Sequence, residues 1–267
     1  MRISLGFQKL DGHPLNASDD SPAVETIPDD ESIYICSTFL DCDPDVLLRM
    51  ERTLAPDELS RAAKFHLIRD RNRYIASRGI LRELLATCLD KNPRDLEFVY
   101  GPTGKPSLRD SDQPTPRLQF NVSHSHGLAV FAIARDRNLG IDVEFIRPGF
   151  EGERIAERYF SAREVEELRR LPAEERTEGF FNCWTRKEAY IKADGNGLQI
   201  PLNSFGIALA PGVPARFLQG VPDKWHLACP TAPGGYVSAL VYDGPSCEIL
   251  QITVDHAVEK HTSRILN

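Results

Sequence analysis

Residues 118–145 read LQFNVSHSHGLAVFAIARDRNLGIDVEF, and the fold is decided here. Runs of β-branched, aromatic and aliphatic residues broken by Gly, Asn and Asp spell three successive strands, Leu118 to Val122, Leu128 to Ala134 and Leu139 to Phe145. Upstream, Ile75, Ile80, Leu81, Leu84, Leu85 and Cys88 recur at helical spacing between Arg69 and Leu89, which predicts a long amphipathic helix. Before it stand a β-rich run from Ile33 to Phe39 and helical segments from Asp45 to Glu51 and from Pro56 into Phe65; after it comes a strand from Leu96 to Tyr100. Downstream the order repeats. Helices over Glu153 to Tyr159, Ala162 to Arg170 and Ala173 to Ala193 precede strands near Phe205 to Leu209, Trp225 to Ala228 and Tyr236 to Tyr242.

Helices followed by a mostly antiparallel sheet, twice, predict an α+β protein of two similar halves, 32–146 and 147–267, joined near Ile146 to Phe150. The repeat is one of order, since no sequence identity between the halves is visible. Residues 1–31 carry seven acidic residues and little apolar material, and read as a flexible acidic leader.

Composition narrows the function. A chain that is 41% hydrophobic and 27% charged, without an apolar run approaching a membrane span, is expected to be soluble. The amino terminus lacks the apolar core and cleavage site of a secretory signal. Six cysteines without a CxxC pair read as reduced thiols, so a cytoplasmic location is expected. A net charge of −7 argues against nonspecific nucleic-acid binding, which rests on many Lys and Arg contacts to phosphate. Phosphate chemistry here would need cations gathered locally.

Four motifs carry chemistry. In Gly140-Ile-Asp-Val-Glu144, strand alternation points Asp142 and Glu144 to one face, about 7 Å apart, and Ile141 and Val143 to the other. Alone, the pattern also suits the solvated face of a half-buried strand. In Trp184-Thr-Arg-Lys-Glu-Ala-Tyr-Ile-Lys192, Trp184, Glu188 and Lys192 line one helical face, and the large aromatic implies that this face is covered. Hard oxygen ligands on a strand, with a further one on a facing helix, suit magnesium and a polyphosphate, with the lysine neutralising phosphate oxygens. Phe120-Asn-Val-Ser-His-Ser125 reads as a strand running into a polar turn, with Ser123 and His124 as candidate phosphate donors. Gly101-Pro-Thr-Gly-Lys-Pro106 is no Walker loop, yet it could clasp a ligand through exposed backbone.

Taken in order, GKP, FNVSHS, GIDVE, FSAREV and WTRKEAYIKADGNGL resemble the 4′-phosphopantetheinyl transferases of the larger, surfactin-synthetase-activating (Sfp) type, over roughly Ala55 to Ile207. The resemblance implies a monomer of two pseudo-symmetric α+β halves with coenzyme A in the cleft between them. It implies transfer of the phosphopantetheine arm to a serine of an apo acyl or peptidyl carrier protein, with Mg2+ as cofactor and release of adenosine 3′,5′-bisphosphate. Carried over by position, Asp142, Glu144 and Glu188 would hold the metal, Lys192 would meet the pyrophosphate, and Glu188 would act as base. Arg61, Gly104, Lys105, Pro106, Asn121, Ser123 and His124 would contact the nucleotide and its 3′-phosphate. Glu164 matches a family acid of open role, and Glu58 stands where members often carry a basic residue. Two other readings remain at this point: a noncatalytic coenzyme A or nucleotide-binding module, and a magnesium-dependent nucleotide hydrolase.

Overall fold

A strand whose two faces are both covered has no need to alternate, and Leu128-Ala-Val-Phe-Ala-Ile-Ala134 does not alternate. The computed structural model, which describes residues 8–9, 31–109, 117–195 and 199–254, places that run at the centre of the molecule. The elements in chain order are β1 (Gln8–Lys9), β2 (Ser32–Phe39), α1 (Pro44–Glu51), α2 (Pro56–Ala62), α3 (Ile68–Leu89), β3 (Phe98–Tyr100), β4 (Pro106–Leu108), β5 (Leu118–Ser125), β6 (Leu128–Arg135) and β7 (Leu139–Phe145). They continue as α4 (Glu153–Tyr159), α5 (Ala162–Arg170), α6 (Ala173–Asp194), β8 (Gly206–Ile207), β9 (Phe217–Gln219), β10 (Trp225–Ala228), β11 (Tyr236–Asp243) and β12 (Glu248–Thr253).

The expected α+β class stands. A five-stranded sheet runs β1-β12-β2-β6-β5, and a three-stranded antiparallel sheet runs β10-β11-β7. Side-chain periodicity builds the layers. On one face of the larger sheet, Cys36, Phe120, Phe131 and Ile133 pack with Ile75, Ile80, Leu81 and Leu85 of α3. From the other face, Ile33, Ile35, Val130 and Ala132 meet Ile141, Val143, Leu240 and Tyr242 of the smaller sheet. The far face of that sheet packs Ala239 and Val241 against Ala189 and Ile191 of α6. The order is therefore helix, sheet, sheet, helix.

Three features went beyond the sequence reading. β12 pairs in parallel with β2, so the last strand of the chain completes the sheet of the first half. β7, which precedes the junction placed at residue 146, is hydrogen-bonded to β11 in the second sheet. The two halves thus exchange strands across that junction. The third feature concerns β5, which does not end at Val122 but runs on to Ser125; the turn that follows is His126-Gly127, both at positive φ (47° and 92°). Of the acidic leader, Gln8–Lys9 forms a strand against β12, while residues 1–7 and 10–30 lie outside the described residues.

Candidate active site

β7 is bonded on one side to β11, which leaves its other edge to be satisfied. Side chains of β5 do this. Asn121, Ser123 and Ser125 share one face of β5 by the period-two rule, and their oxygens accept the backbone N–H groups of Ile141 (2.9 Å), Val143 (3.3 Å) and Phe145 (3.2 Å). The same two serines then donate to the carboxylates of β7: Ser123 Oγ to Asp142 Oδ1 at 2.8 Å, and Ser125 Oγ to Glu144 Oε2 at 2.8 Å.

This geometry extends the strand read in FNVSHS through Ser125 and separates Ser123 from His124, the two candidate phosphate donors. On a strand they point to opposite faces. Asn121 and Ser123 are buried against β7, whereas Val122 and His124 face a cleft. The cleft has a volume of about 600 Å3 and is lined by residues between Leu40 and Gly127, among them Arg61, Tyr74, Gly104, Pro106, His124 and Ser125. Four of the expected nucleotide contacts, Arg61, Gly104, Pro106 and His124, are thus brought to one cavity from three separate segments. Burial, then the Lys192 charge, holds the His124 imidazole below its ordinary pKa.

Lys105 is placed otherwise. Its ammonium donates to the carbonyls of Lys192 (2.7 Å) and Leu139 (3.1 Å), strapping the β3–β4 loop to the last turn of α6 and the start of β7. Burial lowers its pKa to about 8. A lysine at a helix C-terminus meets the negative end of the helix dipole, which suits this position.

α6 presses directly on β7. A Cβ added at Gly140 would lie 2.2 Å from the Ala189 carbonyl oxygen and 2.3 Å from the Ala193 nitrogen, so glycine is what permits the approach. Through this contact Glu188 and Lys192 reach the carboxylate face of β7. Lys192 Nζ donates to Asp142 Oδ1 at 2.6 Å and to Ser123 Oγ at 3.1 Å. Trp184, on the same stripe, is partly buried and packs against Tyr159 and Phe180. The helix ends at Gly195, whose φ of 86° provides the left-handed cap.

Electrostatics mark the cluster. Burial, and then the Asp142 charge, push the Glu188 carboxyl above its usual range; Lys192 opposes this and Glu144 adds to it. Burial likewise raises Glu144, against the lowering effect of its bond from Ser125. Asp142 is almost fully buried, and its Oδ2 has no hydrogen-bond partner. A buried carboxylate oxygen without a partner is costly, and hard oxygen donors of this kind suit a divalent cation such as magnesium. As they stand, no three His, Cys, Asp or Glu side chains among the described residues are gathered closely enough to hold a metal ion. The Lys192 ammonium serves as the counter-charge to Asp142 instead.

The raised Glu188 pKa has a consequence for stability. The folded protein keeps this proton to higher pH than the unfolded chain, so the contribution of Glu188 to stability is fully present below the ordinary carboxylate range and is lost as pH rises through the folded-state value. Glu188→Gln removes that penalty. In EDTA at pH 7 the variant is expected to melt about 2 °C higher than the parent, with the gap closing near pH 4; thermal melts at both pH values check this.

Two residues that the sequence left open prove structural. Glu164 and Lys187 form an ion pair at 2.9 Å with neither side chain exposed, and Glu164 also accepts from the Ile207 and Ser161 backbones. Glu58, the departure at a basic position, caps α2 through Ala55 N and grips Arg78 and Arg82 of α3. Of the arginines along α3, Arg82 is fully buried in this network, and Arg71 and Arg73 pair with Glu51 and Asp41. Among the described residues no helix is long and apolar enough to cross a membrane.

Two family models match the chain in tandem. Residues 42–136 match a model described as the N-terminal part of a 4′-phosphopantetheinyl transferase, and residues 138–241 match the 4′-phosphopantetheinyl transferase superfamily. The 4′-phosphopantetheinyl transferase HetI of Nostoc sp. is 42% identical over 206 residues, covering 77% of this chain and 85% of the relative. The 4′-phosphopantetheinyl transferase Sfp of Bacillus subtilis is 30% identical over 156 residues, covering 58% of this chain and 66% of the relative. Among solved structures, the holo-[acyl-carrier-protein] synthase of Thermotoga maritima covers 41% of this chain and 64% of its own, with 22% identity and a TM-score of 0.32. Two family matches placed in tandem and a relative aligned over most of its length identify the chain as a member of the 4′-phosphopantetheinyl transferase superfamily, and as a phosphopantetheinyl transferase enzyme.

Proposed function

We propose that this chain transfers the 4′-phosphopantetheine group of coenzyme A to a serine hydroxyl of an apo acyl or peptidyl carrier protein, with Mg2+ as the metal. The observation that carries the reading is the group of buried Asp142 and half-buried Glu144, Glu188 and Lys192 set beside the cleft, with one Asp142 oxygen lacking any partner. Asp142, Glu144 and Glu188 would hold the cation, which when bound supplies positive charge to the pyrophosphate oxygens. Arg61 and His124, with the Gly104 and Pro106 loop, would hold the nucleotide and its 3′-phosphate in the cleft.

Glu188 accepts the proton of the carrier serine. The serine oxygen then forms a bond to the β-phosphorus as the bond from that phosphorus to the bridging oxygen breaks, and adenosine 3′,5′-bisphosphate leaves with the electron pair. Lys192 stabilises the charge that develops on the transferred group. Six free cysteines support a reducing, cytoplasmic location.

The test is to incubate the chain with coenzyme A, Mg2+ and several apo carrier proteins, and to weigh the carriers by mass spectrometry. A carrier gaining the phosphopantetheine mass is the expected result. Release of phosphopantetheine or nucleotide into water with no gain on any carrier would instead mark a hydrolase, and no turnover at all a binding module.

A further inference from the structure

The two bonds from β5 to the carboxylates of β7 repeat with one offset. Ser123 donates to Asp142 and Ser125 to Glu144, each pair separated by 19 residues and each at 2.8 Å. Period two on both strands makes this possible: a Ser-x-Ser on one edge faces an Asp-x-Glu on the next. We propose that Ser125 is a positioning residue that fixes the Glu144 carboxylate for metal binding. The inference rests on the metal role assigned to Glu144 above.

Three observations carry it. Ser125 Oγ is engaged twice, accepting from Phe145 N at 3.2 Å while donating to Glu144, so its own rotamer is fixed by the backbone it sits beside. Asp142 has two anchors, Ser123 and Lys192; among the described residues, the side chain that hydrogen-bonds to Glu144 is Ser125. Glu144 therefore depends on one hydroxyl where Asp142 does not. Ser125 also lines the nucleotide cleft, so the same side chain joins the cleft wall to the carboxylate group. Groups that orient a metal ligand without touching the metal typically tune affinity by about 10- to 100-fold.

The experiment uses the full chain and compares the parent with Ser125→Ala, Ser125→Thr, Glu144→Gln and the Ser125→Ala/Glu144→Gln double variant. Binding of Mn2+ alone is measured from the free-ion paramagnetic resonance signal. Alongside it run the Mg2+ concentration for half-maximal transfer, the turnover at saturating Mg2+, and the melting temperature in EDTA. Ser125→Ala is expected to weaken Mn2+ binding and raise the Mg2+ requirement by about 10-fold. Threonine, which keeps the hydroxyl, is expected to restore both. Adding Ser125→Ala to Glu144→Gln is expected to weaken Mn2+ binding no further, because the group to be positioned is gone.

An unchanged metal affinity in Ser125→Ala with a lowered melting temperature would reduce Ser125 to an edge cap of β7 and overturn the inference. Should Ser125→Ala fail to fold, Ser125→Thr paired with Glu144→Gln decides the matter: threonine losing as much metal affinity as Glu144→Gln overturns it as well. Absence of Mn2+ binding by the parent chain would overturn the metal reading of the carboxylates first, and this inference with it.

Discussion

Asp142→Asn is expected to lower turnover on any accepted carrier by about three orders of magnitude, a loss typical of removing a preorganised charge from a transfer site. The change is nearly isosteric, so the fold has little reason to move. What it removes is charge. Asp142 Oδ1 receives Lys192 at 2.6 Å and Ser123 at 2.8 Å, and Oδ2 is buried without a partner. An amide in its place either turns its oxygen to Lys192 and buries an N–H2 in the position of Oδ2, or presents that N–H2 to an ammonium. Neither arrangement holds a cation. The measurement is single-turnover mass gain on a carrier, with circular dichroism and a thermal melt to show that the variant is folded. Turnover within about 10-fold of the parent would remove Asp142 from the machinery.

The second large effect is expected far from the chemistry. Lys187→Met should destabilise the protein by about 3–5 kcal/mol, read as a shift of the urea midpoint and a melting temperature lower by about 10 °C. Lys187 Nζ donates to Glu164 and to the carbonyls of Leu202 and Phe205, at 2.9, 2.7 and 2.8 Å, and it has no exposure. Removing it leaves the Glu164 charge in the interior with its main counter-charge gone. Breaking one partner of such a pair costs far more than replacing both, so Glu164→Gln/Lys187→Met should recover part of the loss. If the double variant is no more stable than Lys187→Met, the pair is not what holds α5 and the β8 region to α6.

The Lys187 case shows where sequence reading stopped. Within Trp184-Thr-Arg-Lys-Glu-Ala-Tyr-Ile-Lys192 the spacing places Glu188 and Lys192 on one stripe and Lys187 on the next, but a helical period does not say which stripe meets solvent. The packing of α6 between β7 and the β8 region decides it. Similarly, Asp142 and Glu144 were legible as a pair from strand alternation, and Ile141 and Val143 as their buried complement. The same rule, applied to Asn-Val-Ser-His-Ser, would have separated Ser123 from His124, but a short polar run ending in His-Gly also reads as a turn. Ser125 carried no local signal of its own. Its meaning comes from Glu144, a residue 19 positions away that only the sheet-to-sheet contact brings within 2.8 Å.

What the sequence determined by itself was the identity of most of the longer helices and strands, the two-carboxylate face of residues 139–145, and the helix that supplies Glu188 and Lys192. These rest on local periodicity and local turn chemistry, which a chain carries wherever it is read. Tertiary structure alone decided that β12 returns to complete the first sheet, that β7 joins the second, and that Lys105 straps α6. It decided too that Ser123 faces β7 and not the cleft, while Ser125 bonds to β7 and also lines the cleft. Each of these is a pairing between segments distant in the chain, and such pairings are set by which edges and faces remain unsatisfied once the elements have formed.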